Sequence, residues 1–169
     1  MKRTLFFLFA ILSLYCFAQD QFPKNENGIY TLEKVENISG LSKNEIFKKA
    51  IQFLTTKYQF SQFSIQYKDE DSGKIIGKGE IKMPPSKYNG LIGHIIEIDV
   101  KDGKYKYKIY NLSFRYLNNY AHKTEDISYP FETMPNFMGY RKKIFEDSFQ
   151  SLNQFTKELY AFIDSKNDW

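Results

Sequence analysis

HIIEIDVKDGKYKYKIYN, residues 94–111, alternates apolar with polar or charged positions on both sides of Asp102-Gly103, a strong two-residue hairpin signal. With the turn placed there, Val100 faces Tyr105, Ile98 faces Tyr107 and Ile96 faces Ile109, all on one side of a strand pair. On the other side Asp99 meets Lys106 and Glu97 meets Lys108, cross-strand pairs of opposite charge. Lysine interleaved with tyrosine is also how many proteins grip single-stranded nucleic acid. Here the tyrosines have an apolar face to join and the lysines have carboxylates to meet, so the stretch reads as two antiparallel strands with one dry and one wet face. Beyond Ile109 the apolar phase shifts to Tyr110, Leu112, Phe114 and Tyr116. The shift signals either a bulge near Asn111 or a strand covered on both faces.

Working upstream, KIIGKGEIKM (74–83) places Ile75, Gly77, Gly79, Ile81 and Met83 on one face and Lys78, Glu80 and Lys82 on the other. Before it DEDSG supplies a turn in which Gly73 takes positive φ, and FSIQY alternates Phe63, Ile65 and Tyr67. The first helix is well marked. Ser42 and Glu45 form a capping box, and Leu41 and Ile46 are spaced as a hydrophobic staple. Ile46, Phe47, Ala50, Phe53, Leu54 and Tyr58 then recur at helical spacing. IYTLEKVENI before it reads as a first strand with Tyr30, Leu32 and Val35 inward.

Downstream, residues 117–139 read as an irregular loop with Pro130, Pro135 and Gly139. A loop of that length inside a compact domain is a lid, an ordered arm or a missed element. Its aromatics suggest packing, and Tyr129, Phe131 and Phe137 are the expected interaction residues if exposed. From Tyr140 a second amphipathic helix, 140–165, carries Phe145, Phe149, Leu152, Phe155, Leu159 and Phe162 on one stripe. One antiparallel sheet with both helices on one face buries every apolar stripe, giving an α+β fold of order β-α-β(4)-α. The uncovered face then carries charges of both signs, which suits water.

The sequences GLSKNEIFKKAIQFL, KIIGKGEI after the DSG turn, and VKDGKYKYKI together resemble the domain of unknown function 4468 family, bacterial proteins with a TBP-like fold. The resemblance spans residues 29–116, with the C-terminal helix as its continuation. It implies the same β-α-β(4)-α order, and it implies no activity, because the family carries none. A fold name that points to a DNA-binding protein does not fix function.

The chain opens MKRTLFFLFAILSLYCFAQD, with a basic start, an apolar run over Leu5–Phe17 and a small residue, Ala18, at its end. This pattern predicts a signal peptide over 1–18 and a location in the periplasm or envelope. The run is too short and its downstream flank too polar for a good membrane span, so none is expected in the mature chain. Cys16 follows Tyr15, whereas a lipid-attachment signal wants a small residue there, so lipoprotein processing is not the expected route. Residues 19–28 read as a short polar leader, and 29–169 as a single domain with its core in 29–116. Cys16 is the sole cysteine, so cleavage after Ala18 removes disulfides, thiolate metal sites and cysteine nucleophiles together. It also removes Lys2 and Arg3, lowering the formal charge from +4 to about +2 and weakening any case for a nucleic-acid partner.

No P-loop, GxSxG, HExxH or GxGxxG pattern occurs. Gly77 and Gly79 form a GxG on a strand, where glycine marks close backbone approach or a bulge. The two histidines make no zinc spacing. His94 shares a face with Ile96 and Ile98 and reads as a core-edge residue hydrogen-bonded to Asn111 or a neighbouring tyrosine. The expectation is an exported, non-enzymatic binding or scaffold domain of the bacterial cell envelope. Its partner would be an envelope protein, peptide or other component, and no cofactor, metal or catalytic residue is assigned. The alternatives are a small hydrolase-like periplasmic enzyme with a pocket near His94 and a small-ligand carrier.

Overall fold

A computed structural model describes residues 22–58, 64–84, 90–117, 128–136 and 139–165. The elements run β1 (Leu32–Asn37), α1 (Lys43–Lys57), β2 (Ser64–Asp69), β3 (Lys74–Lys82), β4 (Gly90–Lys101), β5 (Lys104–Tyr116), β6 (Ser128–Pro130) and α2 (Arg141–Asp164). They form one six-stranded antiparallel sheet of order β1-β5-β4-β3-β2, with β6 on the far half of β5. The apolar faces of α1 and α2 cover one side of it. This is the expected α+β architecture with one short strand added inside the segment read as a loop. The expected signal peptide, Phe63 and Phe137 lie outside the described residues.

The hairpin at 94–111 has the register its alternation predicts: Val100 opposite Tyr105, Ile98 opposite Tyr107 and Ile96 opposite Ile109. All six side chains are buried against the helices. Only Gly103 of the turn takes positive φ, at 69°, so Asp102 keeps an ordinary backbone conformation. Its carboxylate instead accepts a hydrogen bond from the Lys43 N–H at 2.7 Å, while Gly103 N–H donates to Leu41 O at 3.0 Å. The tip of the hairpin is thereby fastened to the start of α1. That start has the expected capping box, with Ser42 N–H donating to Glu45 Oε2 at 2.8 Å and Glu45 N–H to Ser42 Oγ at 3.4 Å.

Asn111 resolves the phase change in favour of a bulge. Gly93 pairs with Ser113 and Ile95 with Tyr110, so Asn111 and Leu112 stand against His94 alone. Asn111 adopts φ 53°, the left-handed region that asparagine tolerates. The extra residue returns Leu112 and Phe114 to the buried face and lets β6 pair with Ser113–Arg115 where β1 stops.

Three alternations resolve differently from the sequence reading. Val35 is 53% exposed, because period two from the buried Leu32 sends Lys34 and Glu36 toward the helix side, where they pair at 2.8 Å. Tyr67 is also exposed: a register shift between Ile65 and Tyr67 sets it opposite Ile76. The third concerns ion pairs. Lys106 meets Glu33 of β1 at 2.6 Å, and Lys74 of β3 takes both Glu97 and Asp99. Register made Asp99 and Lys106 neighbours, but a long lysine also reaches the strand on its other side.

Candidate functional site

The polar face of the sheet carries several ion pairs, among them Lys74 with Glu97 and Asp99, and Lys106 with Glu33. Arg115 holds Glu80 through two hydrogen bonds, Nε to Oε1 at 3.1 Å and Nη2 to Oε2 at 2.6 Å. Tyr105 and Tyr107, the aromatics of the lysine–tyrosine alternation, point the other way into the core. Their rings are therefore unavailable for base stacking.

His94 is 2% exposed. Its Nδ1 lies 3.3 Å from Ile92 O, which can only accept, so Nδ1 carries the proton and Nε2, 2.5 Å from the Tyr58 hydroxyl, accepts from it. The partner is thus the tyrosine, at the C-terminal end of α1, and not Asn111. Burial lowers the His94 pKa to about 4 and raises that of Tyr58 well above the usual phenol range. A groove of about 770 Å³ runs between the ends of β3 and β4 and α2, lined by Lys57, Lys82, Leu91, Ser151, Phe155 and Glu158 among others. Phe155 packs against both the His94 and Tyr58 rings, and His94 is not among the lining residues. Among the described residues no group of three His, Cys, Asp or Glu side chains could hold a metal ion.

The richer site lies at the other end of α2. Phe22, from the segment read as a leader, is 8% exposed and packs edge-on against Tyr30 and Phe131 and tilted against Phe149. Phe131 and Tyr30 in turn contact Phe145 at ring separations of 4.7 and 4.8 Å. The leader is held by a bridge between Lys24 and Tyr30, and Asn25 Oδ1 accepts from the N–H groups of Asn27 and Ile29. Phe22 thus packs into the core, from within the segment that reads as a polar leader.

Above this aromatic cluster opens a cleft of about 1010 Å³, with a second hollow of about 390 Å³ sharing Tyr30, Lys142 and Phe145 with it. Tyr30, Phe145 and Phe149 are half-buried in its walls. Cations sit over two of the rings: Lys24 Nζ lies 4.4 Å from the Tyr30 centroid and the Arg141 guanidinium 5.3 Å from that of Phe145, cation–π geometry in both cases. Of the residues expected to make contacts, Phe131 is fully buried and so belongs to the core beneath the cleft. Tyr129 is half-buried against the core.

The sequence pattern of a family described as "Domain of unknown function (DUF4468) with TBP-like fold" matches residues 33–115. Over those residues the chain is similar to the DUF4468 family. Two solved structures are similar to the chain. A TBP-like protein from Parabacteroides distasonis matches with a TM-score of 0.71 at 14% identity, over 86% of this chain and 99% of that one. A DUF4468 family protein from Bacteroides ovatus matches with a TM-score of 0.67 at 17% identity, over 89% of this chain and 95% of that one. At such identities the likeness shows the fold alone. Among curated proteins none matches. The DUF4468 match covers residues 33–115, so α2 and the Phe22–Tyr30 segment that line the cleft fall outside it.

Sequence reasoning missed the cleft because its walls come from segments far apart in the chain. One signal was present: Phe22 stands alone among polar residues before Pro23, and an aromatic in a polar leader costs solvation unless it is buried.

Proposed function

We propose that this protein is an exported, non-enzymatic binding domain of the bacterial cell envelope that engages a protein or peptide partner through the aromatic cleft over Phe22, Tyr30, Phe145 and Phe149. The observation that carries the reading is the cleft itself: half-buried aromatic walls beside cations, a composition typical of recognition surfaces, where aromatics and arginine dominate the energetics. Export rests on the opening MKRTLFFLFAILSLYCFAQD. Among the described residues no helix is long and apolar enough to cross a membrane.

The test is lysine-reactive cross-linking in native cells, followed by capture of the tagged protein and mass spectrometry. Lys24 and Lys142 line the cleft, so the expected result is an envelope partner joined at one or both. A partner joined solely through Lys78 or Lys106, on the opposite sheet face, would move the site and end this reading.

A further inference from the structure

The charge around the cleft narrows the class of partner; this step rests on the binding reading above. Lys24, Arg141 and Lys142 stand beside the cleft, and among the described residues Lys24 has no ion-pair partner, its ammonium resting over Tyr30. Arg141 and Lys142 open α2 together with Lys143; that first turn carries no acidic residue, and its side-chain acceptor is the neutral Asn136 Oδ1, 3.4 Å from the Arg141 N–H. The helix end already bears partial positive charge, so these cations add to an unfavourable potential that an incoming anion relieves. Acidic groups are also present: Asp147 pairs with Lys143 at 2.7 Å and Glu132 accepts from the Tyr30 N–H, while Glu146 lies 3.9 Å from Lys142, a long exposed contact with which an incoming carboxylate can compete.

We propose that the cleft takes a short acidic peptide segment, an apolar or aromatic side chain seated against the half-buried rings of Tyr30, Phe145 and Phe149 while neighbouring carboxylates reach Lys24, Arg141 and Lys142. A peptide fits better than a glycan. Sugar stacking uses open ring faces, whereas here the faces of Tyr30 and Phe145 carry Lys24 and Arg141 and the rings meet one another at tilted or edge-on angles. It also fits better than a lipid surface, because the aromatics are half-buried in a cleft. An anionic membrane favours an outward apolar face with an excess of basic residues.

The experiment uses protein purified from cells expressing the full-length sequence and reads fluorescence anisotropy of labelled synthetic peptides. One probe alternates glutamate with phenylalanine, a second replaces each glutamate with glutamine, and a third replaces each with lysine. The expected result is saturable binding of the glutamate peptide, at least about tenfold weaker binding of the glutamine peptide, and weakening with added salt. Lys24→Glu and Lys142→Glu change exposed residues; each is expected to keep the native circular dichroism spectrum and to weaken binding of the glutamate peptide about tenfold. Equal binding of the glutamate and glutamine peptides overturns the proposal. So does preference for phosphatidylglycerol vesicles or an anionic oligosaccharide, or no saturable binding of any peptide. In the last case, cross-links from Lys24 or Lys142 to a cellular partner would keep the cleft as a binding site while removing the acidic peptide; absence of both would remove the binding reading as well.

Discussion

The Tyr58 hydroxyl donates to His94 Nε2 at 2.5 Å inside the core, joining the end of α1 to the middle of β4. Ile92 O beside Nδ1 can only accept, so the neutral imidazole carries its proton there and leaves Nε2 as the acceptor. The folded-state pKa, about 4, lies below the ordinary value of 6.5. Above pH 6.5 the imidazole is neutral folded or unfolded and contributes no pH dependence. Between pH 6.5 and 4 the unfolded chain takes up a proton that the folded one refuses, so stability falls as pH falls, by about 3 kcal/mol across the window. Urea unfolding over a pH series checks this. His94→Leu is expected to flatten that part of the curve while costing about 1–3 kcal/mol at pH 7, because the Tyr58 hydroxyl loses this acceptor in the core.

Gly103 is positioned for a clean test of backbone strain. A methyl group added there meets only Ile38 O, at 3.6 Å, so space is available, but φ is +69°. Gly103→Ala is expected to cost about 1–2 kcal/mol from conformation alone. Asp102→Ala removes the acceptor for the Lys43 N–H and is expected to cost about 1 kcal/mol. Chemical denaturation of both variants measures the fastening of the hairpin to α1.

At the bulge, Asn111→Gly is expected to be nearly neutral, since glycine adopts φ 53° without a Cβ clash. Asn111→Val forces a β-branched residue into the same conformation, with an expected loss of about 1–2 kcal/mol. Equal stability of the two variants in urea melts would show that the bulge does not depend on the left-handed residue.

Phe22 tests whether the segment before Leu32 contributes to the folded unit. Phe22→Ala is expected to lower stability by about 3 kcal/mol, within the range for truncating a buried phenylalanine. If the variant melts like the native chain, the segment before Leu32 is an appendage and the wall of the cleft that it forms is not part of the folded unit.

Much of the fold was legible in 94–111, because in a sheet with one wet face the side-chain period of two ties polarity to register. The capping box likewise marked the start of α1. The misreadings have local causes. Val35 and Tyr67 went to the wrong face because β1 carries Lys34 and Glu36 on its helix side and because β2 shifts register after Ile65. β6 was too short to show a period. For His94, sequence gave its face and a tyrosine among its partners, but naming Tyr58 required knowing how α1 crosses β4. The cleft was hidden for a related reason: Phe22, Tyr30, Phe131 and Phe145 converge through tertiary packing, and sequence spacing carries no trace of it.

The measurement that bears most directly on the central claim is site-specific photo-cross-linking in the native host. A benzophenone amino acid replaces Asn153, which lines the cleft, and in a second strain Lys78, which is exposed on the opposite face of the sheet. The cleft reading predicts a discrete adduct from position 153, lost when Lys24→Glu is introduced, and none from position 78. Adducts from position 78 alone, or equal adducts from both that Lys24→Glu leaves unchanged, would contradict it.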